Sequence, residues 1–226
     1  MAKIKFGMMM TDASGKLGGQ VFAKNRGGSY VRTKGIPSNP QTAAQMAIRG
    51  LFASISSAWS SLAAPQRQSF NNFVGSYATT DIFGDLRNPS GKALFQKLNQ
   101  NLGLVGDGPL NTCVSPLEVP FANVVAAEGD VSALTLNVTT DGDTSGSKVV
   151  IWATRPLSQG TNFVKNDLRQ LTWEPGGAAA TFDVYAAYTA KFGAIAAGQN
   201  IVFGVRVINT NGQASPLETV KAVISA

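Results

Sequence analysis

The residues best placed to do chemistry in this chain of 226 residues fall into four short constellations. Asp141-Gly142-Asp143-Thr144-Ser145-Gly146 opens like a calcium loop, because alternating oxygen ligands with glycine at the sixth position suit a hard cation. Its twelfth position, where a bidentate glutamate would close the coordination sphere, is Trp152, so the segment reads as a hairpin turn. Ser90-Gly91-Lys92 has the ending of a phosphate-binding loop but lacks the upstream glycine and the buried strand before it. Asp81 and Asp85 would share a helix face, yet Gly84 and Asn88-Pro89 place them in a loop, and they do not form a catalytic pair. Cys113 lies beside a Pro/Gly-rich stretch with no base nearby and reads as an incidental thiol.

Histidine is absent altogether, which removes the commonest general base near neutral pH and the commonest transition-metal ligand. No Gly-x-Ser-x-Gly elbow occurs either. A single cysteine cannot build an intramolecular disulfide or a cysteine-based metal site. The expectation is a protein that is not an enzyme and uses no cofactor and no metal. No apolar run approaches the ~20 residues of a membrane span, and Met1–Gly7 lacks the apolar core of a secretory signal. A protein of a reducing cytoplasm, with no membrane partner, is expected.

Charge points instead to recognition. Residues 1–114 carry twelve Lys or Arg against four Asp or Glu, a net +8, whereas residues 115–226 carry seven against nine, a net −2. Seven of the cations lie within the first 34 residues, where Asp12 is the lone acid. An anionic partner for that end, nucleic acid or an acidic protein surface, would suit this asymmetry. Gln20–Lys24 and Gly28–Arg32 flank Asn25-Arg26-Gly27, which has the composition of a three-residue hairpin loop. With that loop Phe22 faces Tyr30, and alternation puts Gln20, Phe22, Lys24, Tyr30, Arg32 and Lys34 on one face, opposite Val21, Ala23, Val31 and Thr33. Lys16, Phe22, Lys24, Arg26, Tyr30, Arg32 and Lys34 are therefore the candidate partner-binding residues. They could grip phosphate while a ring stacks on a base, or the ribbon could add to the sheet edge of a neighbouring subunit.

The elements that must carry this face follow from periodicity. Asn39-Pro40 signals a helix start, and Ala44, Ala47, Ile48, Leu51, Ile55, Ala58, Trp59 and Leu62 keep three-and-four spacing to residue 62. Gly50 within it would mark a close backbone approach. A second helix starts at Pro65 with Phe70, Phe73, Val74 and Tyr77, and a third opens near Ser90 with Leu94, Phe95, Leu98 and Leu102; together the three bury a small core. Beyond the turn-rich residues 106–120, β-prone runs recur near 117–125, 132–140, 147–155, 169–174, 180–186, 200–209 and 217–224, with a short helix around 184–192. Seven short strands suggest an immunoglobulin- or fibronectin-like sandwich with Trp152 and Trp173 in its core. The expected architecture is α+β: a basic arm with a β-hairpin over 1–38, a helical domain over 39–108, a linker over 109–116 and an all-β sandwich over 117–226.

Ser14–Arg32, Pro37–Gln45, Trp59 and Gln66-Arg67 ahead of an aromatic residue resemble a group of small proteins of tailed bacteriophages and prophages, notably those of Bacteroidetes. The resemblance covers residues 14 to about 73, with Phe70 where the group has tryptophan. It implies a virion structural or accessory protein of head, neck or tail, assembled in the host cytoplasm with other virion proteins as partners. It brings no catalytic residues. A second copy of the chain and nucleic acid, reached through the basic arm, are the further candidate partners. The competing expectations are a nucleic-acid-binding protein, and a carbohydrate- or receptor-binding module with Tyr185 or Tyr188 as its platform.

Overall fold

A computed structural model describes residues 2–225 except Met9, Arg26, Gln159, Asn162 and Phe163. In chain order the elements are β1 (Ala2–Lys3), β2 (Gly15–Leu17), β3 (Gln20–Asn25), β4 (Gly28–Thr33), α1 (Ala43–Ser61), α2 (Ala64–Asn72), β5 (Thr79–Thr80), β6 (Leu86–Arg87) and α3 (Gly91–Leu104). They continue with β7 (Val124–Asp130), β8 (Thr135–Thr140), β9 (Lys148–Ala153), β10 (Arg169–Pro175), β11 (Thr181–Asp183), α4 (Tyr185–Phe192), β12 (Asn200–Ile208) and β13 (Glu218–Ser225). Two compact units result: Met1–Arg49 with Thr79–Arg87, and Gly50–Ala78 with Asn88–Ala226. These units cut the chain differently from the expected 1–38, 39–108, 109–116 and 117–226.

In the first unit β1 to β4 form an antiparallel sheet of order β1-β4-β3-β2, and β5 and β6 form a separate hairpin. α1 starts three residues after the expected Asn39-Pro40. Thr42 is the residue that serves its first turn, accepting from Gln45 N–H at 3.3 Å through its hydroxyl and from Met46 N–H at 2.9 Å through its carbonyl. Asn39 instead accepts a hydrogen bond from the Arg49 guanidinium at 2.7 Å.

The second unit contains two large cores and a small third one where helix and sheet meet. Helical spacing brings Ile55, Leu62, Phe70, Leu94, Phe95 and Leu98 together, and Trp59, Phe70 and Phe95 pack as a triangle of rings with centroids 5.2 to 6.0 Å apart. Ser90 caps α3 through its hydroxyl, which accepts from Ala93 N–H, and a Cβ on Gly91 would collide with the Asn71 side chain of α2; Ser90 and Gly91 of the apparent phosphate-loop ending thus serve helix capping and packing. Gly50 is not close-packed as expected: a Cβ on it would meet nothing within 4 Å, whereas one on Gly103 would meet Leu51 Cδ1 at 2.7 Å. Residues 109–116, expected as a linker, run along this core. Asn99 exchanges two hydrogen bonds with the Leu110 backbone, and Cys113 is buried with its N–H donating to Ser69 Oγ at 2.9 Å.

The remaining strands form a seven-stranded sheet of order β10-β9-β12-β13-β7-β8-β11, antiparallel throughout except for a two-residue parallel join of β13 to β7. Alternation sends Val149, Ile151 and Ala153 of β9, Ile201, Phe203, Val205 and Val207 of β12, and Leu136 and Val138 of β8 into one core. Each of these Val, Ile, Leu and Phe side chains contributes about 1.5–3 kcal/mol on burial. The opposite face of β9 and β12 is covered by the end of α3, where Val105 packs on Val150 and Ile208. Hydrogen bonds fasten the same join: Asn101 donates to Gly212 O at 2.8 Å, and Lys148 donates to Val105 O at 3.1 Å while pairing with Asp107 at 2.6 Å. Helices and sheet therefore belong to one body.

Three sequence expectations in this region need correction. The first strand starts at Val124, not near 117, because Pro116 and Pro120 cannot donate to a ladder and Glu218 takes the N–H groups of Ala122 and Val124. Trp173 is no core residue: it lies on the outer face with its ring exposed under Lys148, whose ammonium sits 4.2 Å from the ring centroid. Trp152 is half-buried on that face, opposite Gly204.

Candidate functional site

The N-terminal sheet carries the residues singled out for partner binding. Asn25 pairs with Gly28, Phe22 with Val31 and Ala23 with Tyr30, so the hairpin loop is one residue shorter than expected. The Asn25 side chain accepts from Gly27 N–H at 2.8 Å, and Gly28 takes φ +98°, a conformation that side chains resist; these two features set the short turn. A one-residue change of register moves a whole strand's side chains to the other face. Phe22 and Lys24 thus share a face with Val31 and Thr33, and Tyr30 and Arg32 share the opposite one with Val21 and Ala23. The single aromatic and basic face expected from the sequence is not formed. Arg26 lies outside the described residues.

The third strand, β2, pairs Lys16 with Val21 and Leu17 with Gln20. Lys16 therefore joins the face of Val21 and Arg32, separated from Arg32 by two strand spacings, about 10 Å. Lys34, two residues beyond Arg32, continues the alternation, with its N–H donating to Gly19 O at 2.8 Å. Leu17 joins the Phe22 and Val31 face and is 71% exposed. One side of the sheet thereby carries the basic residues with Tyr30, Val21 and Ala23, and the other carries Leu17, Phe22 and Val31 among Gln20, Lys24, Ser29 and Thr33.

Ion pairs sort the cations further. Lys24 meets Asp12 at 3.2 Å, Lys3 meets Asp81 at 2.7 Å and Lys5 meets Asp85 at 2.7 Å. The β5–β6 loop is shaped for this: Asp81 Oδ1 accepts from the N–H groups of Phe83 and Asp85, leaving Oδ2 for Lys3. The Lys3 hydrogen bond first, and those backbone donors after it, hold the Asp81 carboxyl down at about 2. The hydrogen bond to Asp85 pushes the Lys5 ammonium up, and Lys5 also sits 5.2 Å from the centre of the Phe83 ring. Asp81 and Asp85 are thus anchors for the N-terminal strand. Among the described residues no carboxylate lies within 4 Å of Lys16, Arg32 or Lys34.

No protein-family model matches the chain, and no curated protein matches it in sequence.

Burial is the most unusual property of this unit. None of the described side chains of Met1–Arg49 and Thr79–Arg87 is fully buried. Large apolar residues stand in solvent instead: Met8, Met10, Leu17, Ile36, Ile82, Phe83 and Leu86 are all exposed, Ile36 at 95% and Ile82 at 76%. A unit of about sixty residues ordinarily needs a hydrophobic core to fold alone.

Other candidate sites dissolve in the structure. The calcium-like loop is a tight connection in which Asp143 accepts from Ser145 N–H and Thr144 is buried against Gly177, and among the described residues no three Cys, Asp or Glu side chains cluster as metal ligands. Tyr188 is no exposed platform: it is fully buried, its hydroxyl donates to Thr154 O at 3.1 Å, and burial pushes its phenol up to about 12. Tyr185 is half-buried against the sheet core. Sequence reasoning missed β1, β2 and the β5–β6 hairpin. The signals were Gly15 at the start of β2, with φ +109°, and the Asp81-x-x-Gly84-Asp85 turn.

Proposed function

We propose that this protein is a structural or accessory component of a tailed-phage particle, in head, neck or tail, joined to other virion subunits through its N-terminal sheet and associated hairpin. The carrying observation is the exposed apolar set of that unit together with the lack of any buried apolar side chain among its described residues. Apolar surface of this kind is stabilised when a neighbour covers it. The β2 edge, three exposed residues long, offers backbone donors and acceptors for strand addition. The likeness of residues 14–73 to phage proteins supplies the virion setting, and no residue is assigned to bond chemistry. For residues 117–226 we propose an immunoglobulin- or fibronectin-like sandwich, in which β11-β8-β7 and β13-β12-β9-β10 are the two sheets; support comes from the strand order and from the slender β13–β7 join. The test is incorporation: mass spectrometry of purified particles should find the full chain, and deletion of residues 1–38 should abolish its retention. Retention of the truncated chain at wild-type level would refute the docking role.

A second use of the same unit is favoured by one observation, the three cations Lys16, Arg32 and Lys34 that share a face without acidic partners. On duplex DNA three phosphate contacts give a log–log salt slope of roughly −3. Binding by strand addition would depend on salt far more weakly, so a salt titration of the bound complex separates the two.

A further inference from the structure

The second unit holds an unpartnered guanidinium that the N-terminal docking role does not explain. Arg206 projects from the middle of β12, opposite Val150, onto the outer face of the sheet, and its Cζ lies 6.0 Å from the centre of the Trp152 ring. Its Nε is fully buried and has no hydrogen-bond partner. Among the described residues no carboxylate comes within 4 Å of it. A buried donor on a permanent cation, left unpaired at the centre of a sheet, lowers stability and is therefore a place where a ligand has something to gain.

The surroundings say which ligand. Arg206 lines a cavity of about 650 Å³ with Lys165, Asn166, Thr219, Leu168 and Leu217, and it also borders a second cavity of about 350 Å³ that includes Lys97. Three cations and, among the described residues, no acidic side chain line the two. The space around Arg206 thus favours an anion. Leu168 and Leu217 close over Gly204 from either side, with side-chain carbons 3.3 and 3.2 Å from where a Cβ would stand, which gives the cavity an apolar wall next to the charge. The volume falls within the usual range for small-molecule sites and is far larger than an isolated oxyanion needs. A guanidinium edge presents parallel N–H donors to the two oxygens of a carboxylate.

We propose that Arg206 anchors a binding site for a small organic carboxylate whose apolar tail rests on Leu168 and Leu217. The site lies within the second unit and stands or falls independently of the N-terminal sheet. It can be tested by titrating the isotope-labelled full chain with sodium hexanoate, sodium acetate and inorganic phosphate, following the Arg206 Nε–H resonance, assigned by its loss in Arg206→Met. Hexanoate should shift that resonance saturably at millimolar concentration and bind about tenfold more tightly than acetate, because its extra methylenes leave water. In Leu217→Ala most of the hexanoate advantage should vanish while acetate binding stays, a comparison that does not require the Arg206 variant to fold. Arg206→Met should abolish the hexanoate response elsewhere around the cavity and melt no lower than the parent, since it removes a desolvated charge. Absence of a saturable shift with either carboxylate, equal affinity for both, or phosphate binding more tightly than hexanoate would overturn the assignment.

Discussion

Replacing Phe70 by alanine should destabilise the β-sheet as much as the helices, although Phe70 touches only the helical core. Phe70 is fully buried between Trp59 and Phe95, with ring centroids at 6.0 and 5.2 Å. Truncating a phenylalanine in such a place costs about 4 kcal/mol from lost transfer energy and the cavity left behind. α3 carries the loss onward. Its Leu94, Phe95 and Leu98 belong to the Phe70 core, while Val105 just past its end packs on Val150 and Ile208, and Asn101 bonds Gly212 O. If the two cores unfold together, a urea slope of about 2 kcal/mol per molar moves the midpoint by about 2 M, and the melting temperature falls by roughly 8–16 °C. Amide exchange resolves the question residue by residue: β12 amides from Ile201 to Val207 should lose as much protection as those of α3. Wild-type protection in β12 beside lost protection in α3 would refute the coupling and make helices and sheet independent folding units.

Gly212→Ala should be strongly destabilising, because Gly212 has φ +75° and lies against the Leu98 carbonyl; a thermal melt lower by only a degree would contradict this. Burial raises the phenols of Tyr77 and Tyr188 from about 10 to about 12, so unfolding releases protons between those values. Their contribution is whole below pH 10 and is lost as pH rises through 12, which ultraviolet titration beside alkaline melting will show. Asp81 behaves in the opposite sense: its carboxyl is held at about 2, so its contribution is present above pH 3.8 and lost as pH falls through 2. Asp81→Asn should free β1 from the β5–β6 hairpin and speed amide exchange at Ile4, whose N–H bonds Ser29 O, with β12 unaffected.

Much of the element order is legible in the sequence because it depends on local period. The stripes Leu94-Phe95-Leu98-Leu102 and Ile201-Phe203-Val205-Val207 announce a helix and a strand by spacing alone, and both are present. What depends on one residue of register is not legible. Asn25-Arg26-Gly27-Gly28 can close a two- or a three-residue loop, and the choice decides whether Phe22 faces Tyr30 or Val31. Nor does alternation say which side of a strand is covered. Trp173 looks like a core residue by type, yet the end of α3 covers the face it occupies at Val150 and Ile208, and its ring stays exposed beneath Lys148. Gly50 and Gly103 are alike as helix-interior glycines; only packing with Leu51 distinguishes them.

The N-terminal unit poses an energetic problem that its own contacts do not solve. Fixing each residue of an extended segment costs about 1–2 kcal/mol of backbone entropy. The visible compensation consists of strand hydrogen bonds and ion pairs such as Lys5–Asp85 and Lys24–Asp12, whose partners are each at least half exposed and so gain little beyond what water already provides. Burial of Leu17, Ile36, Ile82 and Leu86 would contribute about 1.5–3 kcal/mol apiece toward offsetting that cost, but it requires a surface the unit does not supply itself. A docking partner would therefore be expected to order this unit as well as bind it. In that case amide protection in β3 and β4 should rise sharply on assembly, while β12, already deep in its own core, should hardly change.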